Sequence, residues 1–532
     1  MIRKSIIWVS GLVLLMFTSC TKDFKTINVN PDSPSSVPLD YLFGQSMLGY
    51  AGSAGDPGYT QWRANLIYAM PMIQQMSSLG QFYSGDKYLY QATNQASGAY
   101  FGTSDGEGNY PNAVKNLVQL IANAKVDSAT NVNTLSMARI LKVLLMHTMT
   151  DLYGDIPYFQ AGDGYLTQNY TPNYDAQSAI YPDLFNELSQ AGAALNPSGY
   201  IPAASDFAYS GNLTYWNHLA NSLMLRLAMH LANVDPTDAQ KWAAQAISGG
   251  VFQSNAESFA IVYPGGPTYA VNPVSYDLGP SDLKSFRQII SSTHNLQWSN
   301  TFISTEQARQ DPRLHEISTV YPVAAQVGFT LGDTTGTNQL GLPNGLDVVP
   351  GATPINLYSV PNTLTYQSTS PLIIVTYAEV EFLKAEAEER GWVTGTPAVD
   401  YALGQAAAIQ QMSLYNAAFT PTAGEVLAYQ TANPYPSGGT LDQKLNQIYT
   451  EMWILMATTY NGMEGWTDWR RTGYPALTPV NYAGNATGGT IPRRLIYPIE
   501  QITLDAAGYK QATTHMGGDL FTTKMWWDGG NK

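Results

Sequence analysis

Cysteine is almost missing from this chain: of 532 residues one is Cys, at position 20. A lone thiol has no internal partner, so no disulfide framework holds the fold. With six histidines spread singly, the same scarcity argues against a structural zinc site. Charge is scarce too, at 12% of residues against about 25% in average domains. Basic residues are the scarcer sign, 26 against 40 acidic, for a net charge of −14. Nucleic acid and anionic lipid, which demand clustered Lys and Arg, are therefore poor partners. After Cys20 no run approaches roughly 18 apolar residues, and no series of about ten-residue alternating strands suggests a membrane barrel.

The position of the cysteine is informative. Met1-Ile2-Arg3-Lys4 is short and basic, an apolar run follows from Ile6 to Phe17, and Thr18-Ser19 lead into Cys20. Such a succession describes a secretory signal, too short for the roughly 20 residues of a bilayer span. An ordinary cut site needs no thiol. A bacterial lipoprotein does, because the thiol carries a diacylglyceryl group and becomes the new N-terminus, so "FTSC" reads as a lipobox with Phe17 at its first position. Residues 1–19 are thus predicted to be a lipoprotein signal, and 20–38, with "NPDSPSSVP", a lipidated tether. Residues 39–532 are predicted to form a single body. Loss of the signal leaves 24 basic against 40 acidic residues, a formal charge near −16.

What the chain has in abundance is aromatic: 35 Tyr, 16 Phe and 11 Trp. A surface short of charge uses these with Asn, Gln, Ser and Thr, a chemistry suited to neutral, hydroxyl-rich ligands. Helical periodicity runs from Thr134 to Tyr153, with Met137, Ile140, Leu141, Leu144, Leu145, Thr148 and Leu152 on one face. It recurs over Tyr181–Leu195, where Pro182 suits a first turn, and over Tyr215–Ala232, Ala239–Ile247, Thr376–Arg390, Ala398–Ala417 and Leu441–Tyr460. The pairs near 215–248 and 376–417 have the length of tetratricopeptide-like units, without self-similarity. Between the helices, 51–112, 154–176, 251–300 and 320–372 read as long ordered loops.

Signs of catalysis are few. Gly-Lys never occurs, so there is no P-loop, and "HEIST" at 315–319 lacks a second His. "GTSDG" at 102–106 has the letters of a nucleophile elbow, but "EGNYPN" after it reads as loop, leaving Ser104 in a turn. "DGEGN" at 105–109 resembles a calcium loop, yet Tyr110 stands where Gly is needed and Asn116 where Glu is needed. His147 and His230 fall within apolar helices and read as satisfied core histidines. In "YNGMEGWTDWRRTGYP", Trp466 and Trp469 share a helical face, and Arg470 and Arg471 can stack on them or pair with Glu464 and Asp468. A ligand site is one reading; a packed, salt-bridged helix end is the simpler one.

These segments taken together resemble the SusD/RagB family of outer-membrane lipoproteins, in its SusD-like nutrient-binding branch. The resemblance rests on the signal ending in Cys20 and on "INVNPDSP" (27–34), "LYGDIPYFQA" (152–161), "YPDLFNEL" (181–188) and "TYAEVEFLKAEAEERGW" (376–392). It extends through "NGMEGWTDWRRTGYP" (461–475) and "PRRLIYPIEQ" (492–501). Two departures are Phe17 in the lipobox and Lys22-Asp23, only part of an acidic export signal. The resemblance implies a mostly α fold: tetratricopeptide-like helix pairs forming a scaffold with a long-loop-rich ligand-binding face. It implies a lipid-anchored binder, palmitate included, on the outer membrane at the cell surface. Such a binder caps a SusC-like TonB-dependent barrel transporter, delivers glycan to it, and has no catalytic residue, cofactor or metal. A peptide ligand, and less so a surface glycoside hydrolase, are the alternatives. The family carries no invariant binding triad, so the candidate ligand residues are loop aromatics and amides: Trp62, Tyr83, Tyr88, Tyr90, Asn295 and Trp298.

Overall fold

In the computed structural model, the structure describes residues 37–50, 61–79, 84–90, 101, 113–263, 296–323 and 332–532. Helices dominate. In chain order the longer ones are α1 (Leu39–Tyr50), α2 (Lys115–Val126), α3 (Val132–Tyr153), α4 (Gln177–Ala194), α5 (Leu213–His230) and α6 (Pro236–Gly249). They continue as α7 (Asn300–Arg309), α8 (Tyr377–Glu389), α9 (Pro397–Gln410), α10 (Ala423–Ala432), α11 (Leu441–Thr458), α12 (Gly462–Thr472) and α13 (Ala506–Met516). Gln61–Ala69 is a π-helical segment.

Local chemistry sets the ends of these helices. The Asn212 side chain caps α5, and Asp235 caps α6 by accepting from the Asp238 N–H, with Pro236 in the first turn. Thr376/Glu379, Thr422/Glu425 and Thr440/Gln443 form capping boxes at α8, α10 and α11. At the end of α3, Gly154 takes φ +86°, and a Cβ there would meet the Met516 sulfur at 2.5 Å. Only glycine fits that turn. One expectation shifts: α4 begins at Gln177, four residues before Tyr181, so Pro182 lies inside the helix. Helix α9 likewise ends at Gln410 and continues only as a 3₁₀ turn, Gln411–Leu414.

Neighbours pack in pairs, α3 on α4, α5 on α6 and α8 on α9, with α4 on α5 and α8 on α11 joining the pairs. This is the tetratricopeptide-like scaffold that the helical periodicity implied. One contiguous cluster of buried apolar side chains runs from Phe43 to Trp527. Among the described residues four two-stranded antiparallel ladders staple separate segments: β1 (Met76–Ser78) with β5 (Leu296–Trp298), and β2 (Ile156–Pro157) with β3 (Tyr174–Asp175). The others are β4 (Phe259–Ile261) with β8 (Leu372–Val375), and β6 (Ser318–Thr319) with β7 (Val360–Pro361). Among the described residues no helix is long and apolar enough to cross a membrane.

Between the pairs runs a buried polar seam. His230 bridges two carboxylates: its Nε2 lies 2.8 Å from Glu464, and its Nδ1 lies 3.0 Å from the Tyr181 hydroxyl and 3.4 Å from Asp151. His147 Nδ1 bonds Asp151 at 3.1 Å, while its Nε2 has no partner among the described residues. Arg226 makes two bonds to Glu379, at 2.5 and 2.7 Å, and lies 3.6 Å from Glu464. Both histidines are buried, as their apolar helices implied, but among the described residues only His230 is satisfied at both ring nitrogens; His147 is bonded at Nδ1 alone. Ligand atoms of His230, Glu464 and Asp468 lie within 4.8 Å of one another, but His230 Nε2 is already bonded to Glu464, which also lies 3.6 Å from Arg226.

Candidate functional site

The loop face is organised by the β1–β5 ladder, whose register pairs Met76 with Trp298 and Ser78 with Leu296. The ladder brings together two segments some 220 positions apart, so that Leu79 and Leu296 lie at one end of it. On its other side β5 is held by Leu342 and Ser359, through Leu342 N–H to Trp298 O and Trp298 N–H to Ser359 O, each 2.9 Å.

The turn that follows β1 is pinned by a fully buried ion pair. Lys87 Nζ donates to Ser78 O at 2.6 Å and to Asp86 at 3.2 Å, and Asp86 accepts from Gly345 N–H at 3.0 Å. Burial pushes the Asp86 carboxyl up, and Lys87 opposes that. A Cβ on Gly85 would meet Ile67 O at 2.4 Å, so backbone touches backbone there. Tyr88 follows with φ +54°, its ring buried and its hydroxyl accepting from Val480 N–H at 3.2 Å. Burial raises its hydroxyl to about 12, against that hydrogen bond.

The six candidate ligand residues therefore separate. Tyr90 is 37% exposed and edges onto Phe521 at 6.2 Å. Trp298 is 0% exposed, stacked on Phe302 at 4.7 Å and facing Tyr460 at 6.2 Å, with Nε1–H donating to Ile317 O. Trp298 and Tyr88 thus form the floor of the face rather than its surface. Tyr83 and Asn295 lie outside the described residues, as do the Trp62 side chain, Cys20, "GTSDG" and "DGEGN". The Trp/Arg stretch is the packed helix end. Arg470 lies 4.0 Å over Trp466, and Arg471 pairs with Glu386 at 2.9 and 3.0 Å, all of them buried.

A second concave feature is lined by other residues. A cavity of about 500 Å³ opens between the 157–172 connection and the segment 501–505. The exposed Tyr165 and Tyr170 line it, and their sequence context, a polar loop, carries no periodic signal.

Comparison with known proteins agrees with this architecture. Residues 56–498 match the SusD-like family described as "Starch-binding associating with outer membrane". The chain belongs to the SusD-like family. Among solved structures, this SusD-like chain is similar to a chitin-binding protein: 31% identity, TM-score 0.78, covering 92% of this chain and 100% of that one. It is similar to a SusD homolog from Bacteroides uniformis at 25% identity, TM-score 0.74, covering 92% and 99%. A chitin-binding SusD homolog from Flavobacterium johnsoniae shares the fold at 23% identity, TM-score 0.71, covering 92% and 98%. No curated protein matches the chain in sequence.

Proposed function

We propose that this SusD-like protein is a cell-surface lipoprotein that captures glycan and hands it, uncleaved, to a TonB-dependent barrel transporter. The observation that carries the reading is the 31% identity, over the whole of its length, to a chitin-binding protein of the same fold. The ladder-anchored loop face supports it. A buried aromatic floor and a pinned turn are the rigid base on which adaptable loops can present sugar-binding groups. A stacked aromatic contributes about 0.5–1.5 kcal/mol beyond its buried area, so two or three such contacts give useful affinity. A β-linked amino-sugar polymer is the first ligand to try.

An array of glycans and peptides, read with the purified protein, tests the ligand class. Binding to glycans with no new reducing ends is the expected result. Binding to peptides alone, or sustained release of reducing ends that stops when one Asp or Glu is replaced, overturns it. Anchoring and partner are tested separately. Cys20→Ala should abolish labelling by a fatty-acid analogue, and mild detergent should co-extract the wild-type protein with a much larger barrel protein. Unchanged labelling, or recovery only as a free monomer where other membrane complexes survive, counts against the respective part.

A further inference from the structure

The 500 Å³ groove is built on a ladder other than β1–β5. The β2–β3 ladder closes its base, pairing Pro157 with Tyr174, and Asp175 accepts from the N–H groups of Tyr158 and Phe159 at 3.1 and 2.9 Å. Gly162, at φ +71°, sits close on α2: a Cβ there would meet a Val118 methyl at 3.1 Å and Lys115 Cα at 3.3 Å. The Tyr170 ring lies against Gly164, where a Cβ would meet it at 3.1 Å. Tyr165 and Tyr170 are nonetheless 83% and 77% exposed. Two large apolar faces, of which Tyr170 rests on Gly164, thus line a cavity within the usual size range of small-ligand sites.

Its polar groups are oriented before any ligand arrives. Gln160 Oε1 accepts from Asn169 Nδ2 at 3.1 Å and from Asn173 N–H at 3.2 Å, and Gln501 Oε1 accepts from the Tyr174 hydroxyl at 2.9 Å. Both amides therefore keep an Nε2 donor group without a partner among the described residues. The Asp163 carboxylate adds an acceptor to the lining. Phe101, Pro157, Pro172 and Leu504 supply an apolar wall.

We propose that this groove is a second carbohydrate subsite that takes an N-acetylated amino-sugar unit of a longer chain. The inference rests on the glycan-binding reading above. An acetamido sugar offers a C–H face for a tyrosine ring, a methyl group for an apolar wall, an N–H for a carboxylate and a C=O for an amide donor. The groove holds each counterpart. Uronic or sulfated polymers are disfavoured, because Asp163 and Asp505 line it against a single cation, Lys115. A concave site with preset amide donors suits a sugar better than a flat protein contact does.

The test measures binding of N-acetylchitohexaose and of N-acetylglucosamine to the full-length protein and to Tyr165→Ala/Tyr170→Ala. Both side chains are exposed, and an unchanged Tm verifies the fold. Loss of two ring contacts should weaken the hexaose by about tenfold or more, with a much smaller effect on the monosaccharide. Gln501→Ala should weaken it too. Equal hexaose affinity in the double variant overturns the subsite. So does failure of the wild type to bind hexaose while another glycan on the array binds, an outcome that leaves the glycan-binding function standing. A photo-crosslinker at position 165 that captures a large membrane protein, with hexaose affinity unchanged in the double variant, identifies a protein contact instead.

Discussion

Trp298 and Tyr90 show how differently two aromatic side chains serve one face. Trp298 is closed in by Phe302 and Tyr460, and its indole N–H bonds Ile317 O, which also accepts from Asn362 N–H at 2.8 Å, so its removal leaves a large cavity and takes away one of the two bonds to that carbonyl. Trp298→Ala should cost about 3–5 kcal/mol in chemical denaturation. Tyr90→Ala removes a partly exposed ring and should change stability by no more than about 0.5 kcal/mol. On the proposed function, Tyr90→Ala should instead weaken glycan binding at the loop face. A stable Trp298→Ala variant would mean that this ring is not part of the floor. Both residues were singled out from the sequence for the same reason, an aromatic in a loop-rich stretch. Burial distinguishes them, and burial depends on which strand pairs with which.

At the scale of elements, α8 couples a local signal to a tertiary one. Thr376 and Glu379 cap each other reciprocally, a pattern readable from spacing alone. Glu379 also receives Arg226 from α5, more than 150 residues away. Thr376→Ala should therefore cost about 1 kcal/mol, the usual loss of a cap. Glu379→Ala should cost more, about 3–5 kcal/mol, since it leaves a buried guanidinium without its main partner. Equal losses in urea titrations would mean that the Arg226 pair adds nothing beyond the cap. The shift of α4 to begin at Gln177 has a similar origin. The Gln177 backbone N–H bonds Asp155 at 3.1 Å and its side chain reaches Thr150 O at 2.9 Å, contacts that extend the helix by a turn beyond the apolar pattern.

For the whole molecule, the buried seam sets how stability follows pH. Burial opposes the charge on His230, but Glu464 and Asp151 overcome it and hold the imidazole up at about 9. A folded value above the ordinary 6.5 stabilises the fold fully below pH 6.5, and this contribution is lost as pH rises through about 9. Burial, reinforced by Glu464, likewise pushes the Asp468 carboxyl up to about 7, so its contribution falls as pH rises towards 7. The two effects have one sign. Tm should decline from mildly acid pH to pH 9, and His230→Gln should flatten the alkaline part of that decline. An alkaline slope as steep in His230→Gln as in the wild type would remove His230 from the account.

The sequence by itself determined the helices of the scaffold, α3 to α6, α8, α9 and α11, because their apolar periodicity, capping residues and terminating glycines are local; α1, α2, α7, α10 and α13 were not read from it. It determined the family as well, through motifs such as "LYGDIPYFQA" and "NGMEGWTDWRRTGYP" in a set order. Tertiary structure alone decided which aromatics lie in the floor and which reach solvent, and that His230 spans Asp151 and Glu464. It also decided that Tyr165, Tyr170 and Gln501 share a groove. Those facts arise from pairings between segments from under twenty to hundreds of residues apart, made through two- and three-residue ladders and single buried ion pairs. Such contacts are too short to leave a periodic trace in the chain, and their stability comes from burial that exists only once the helices have packed.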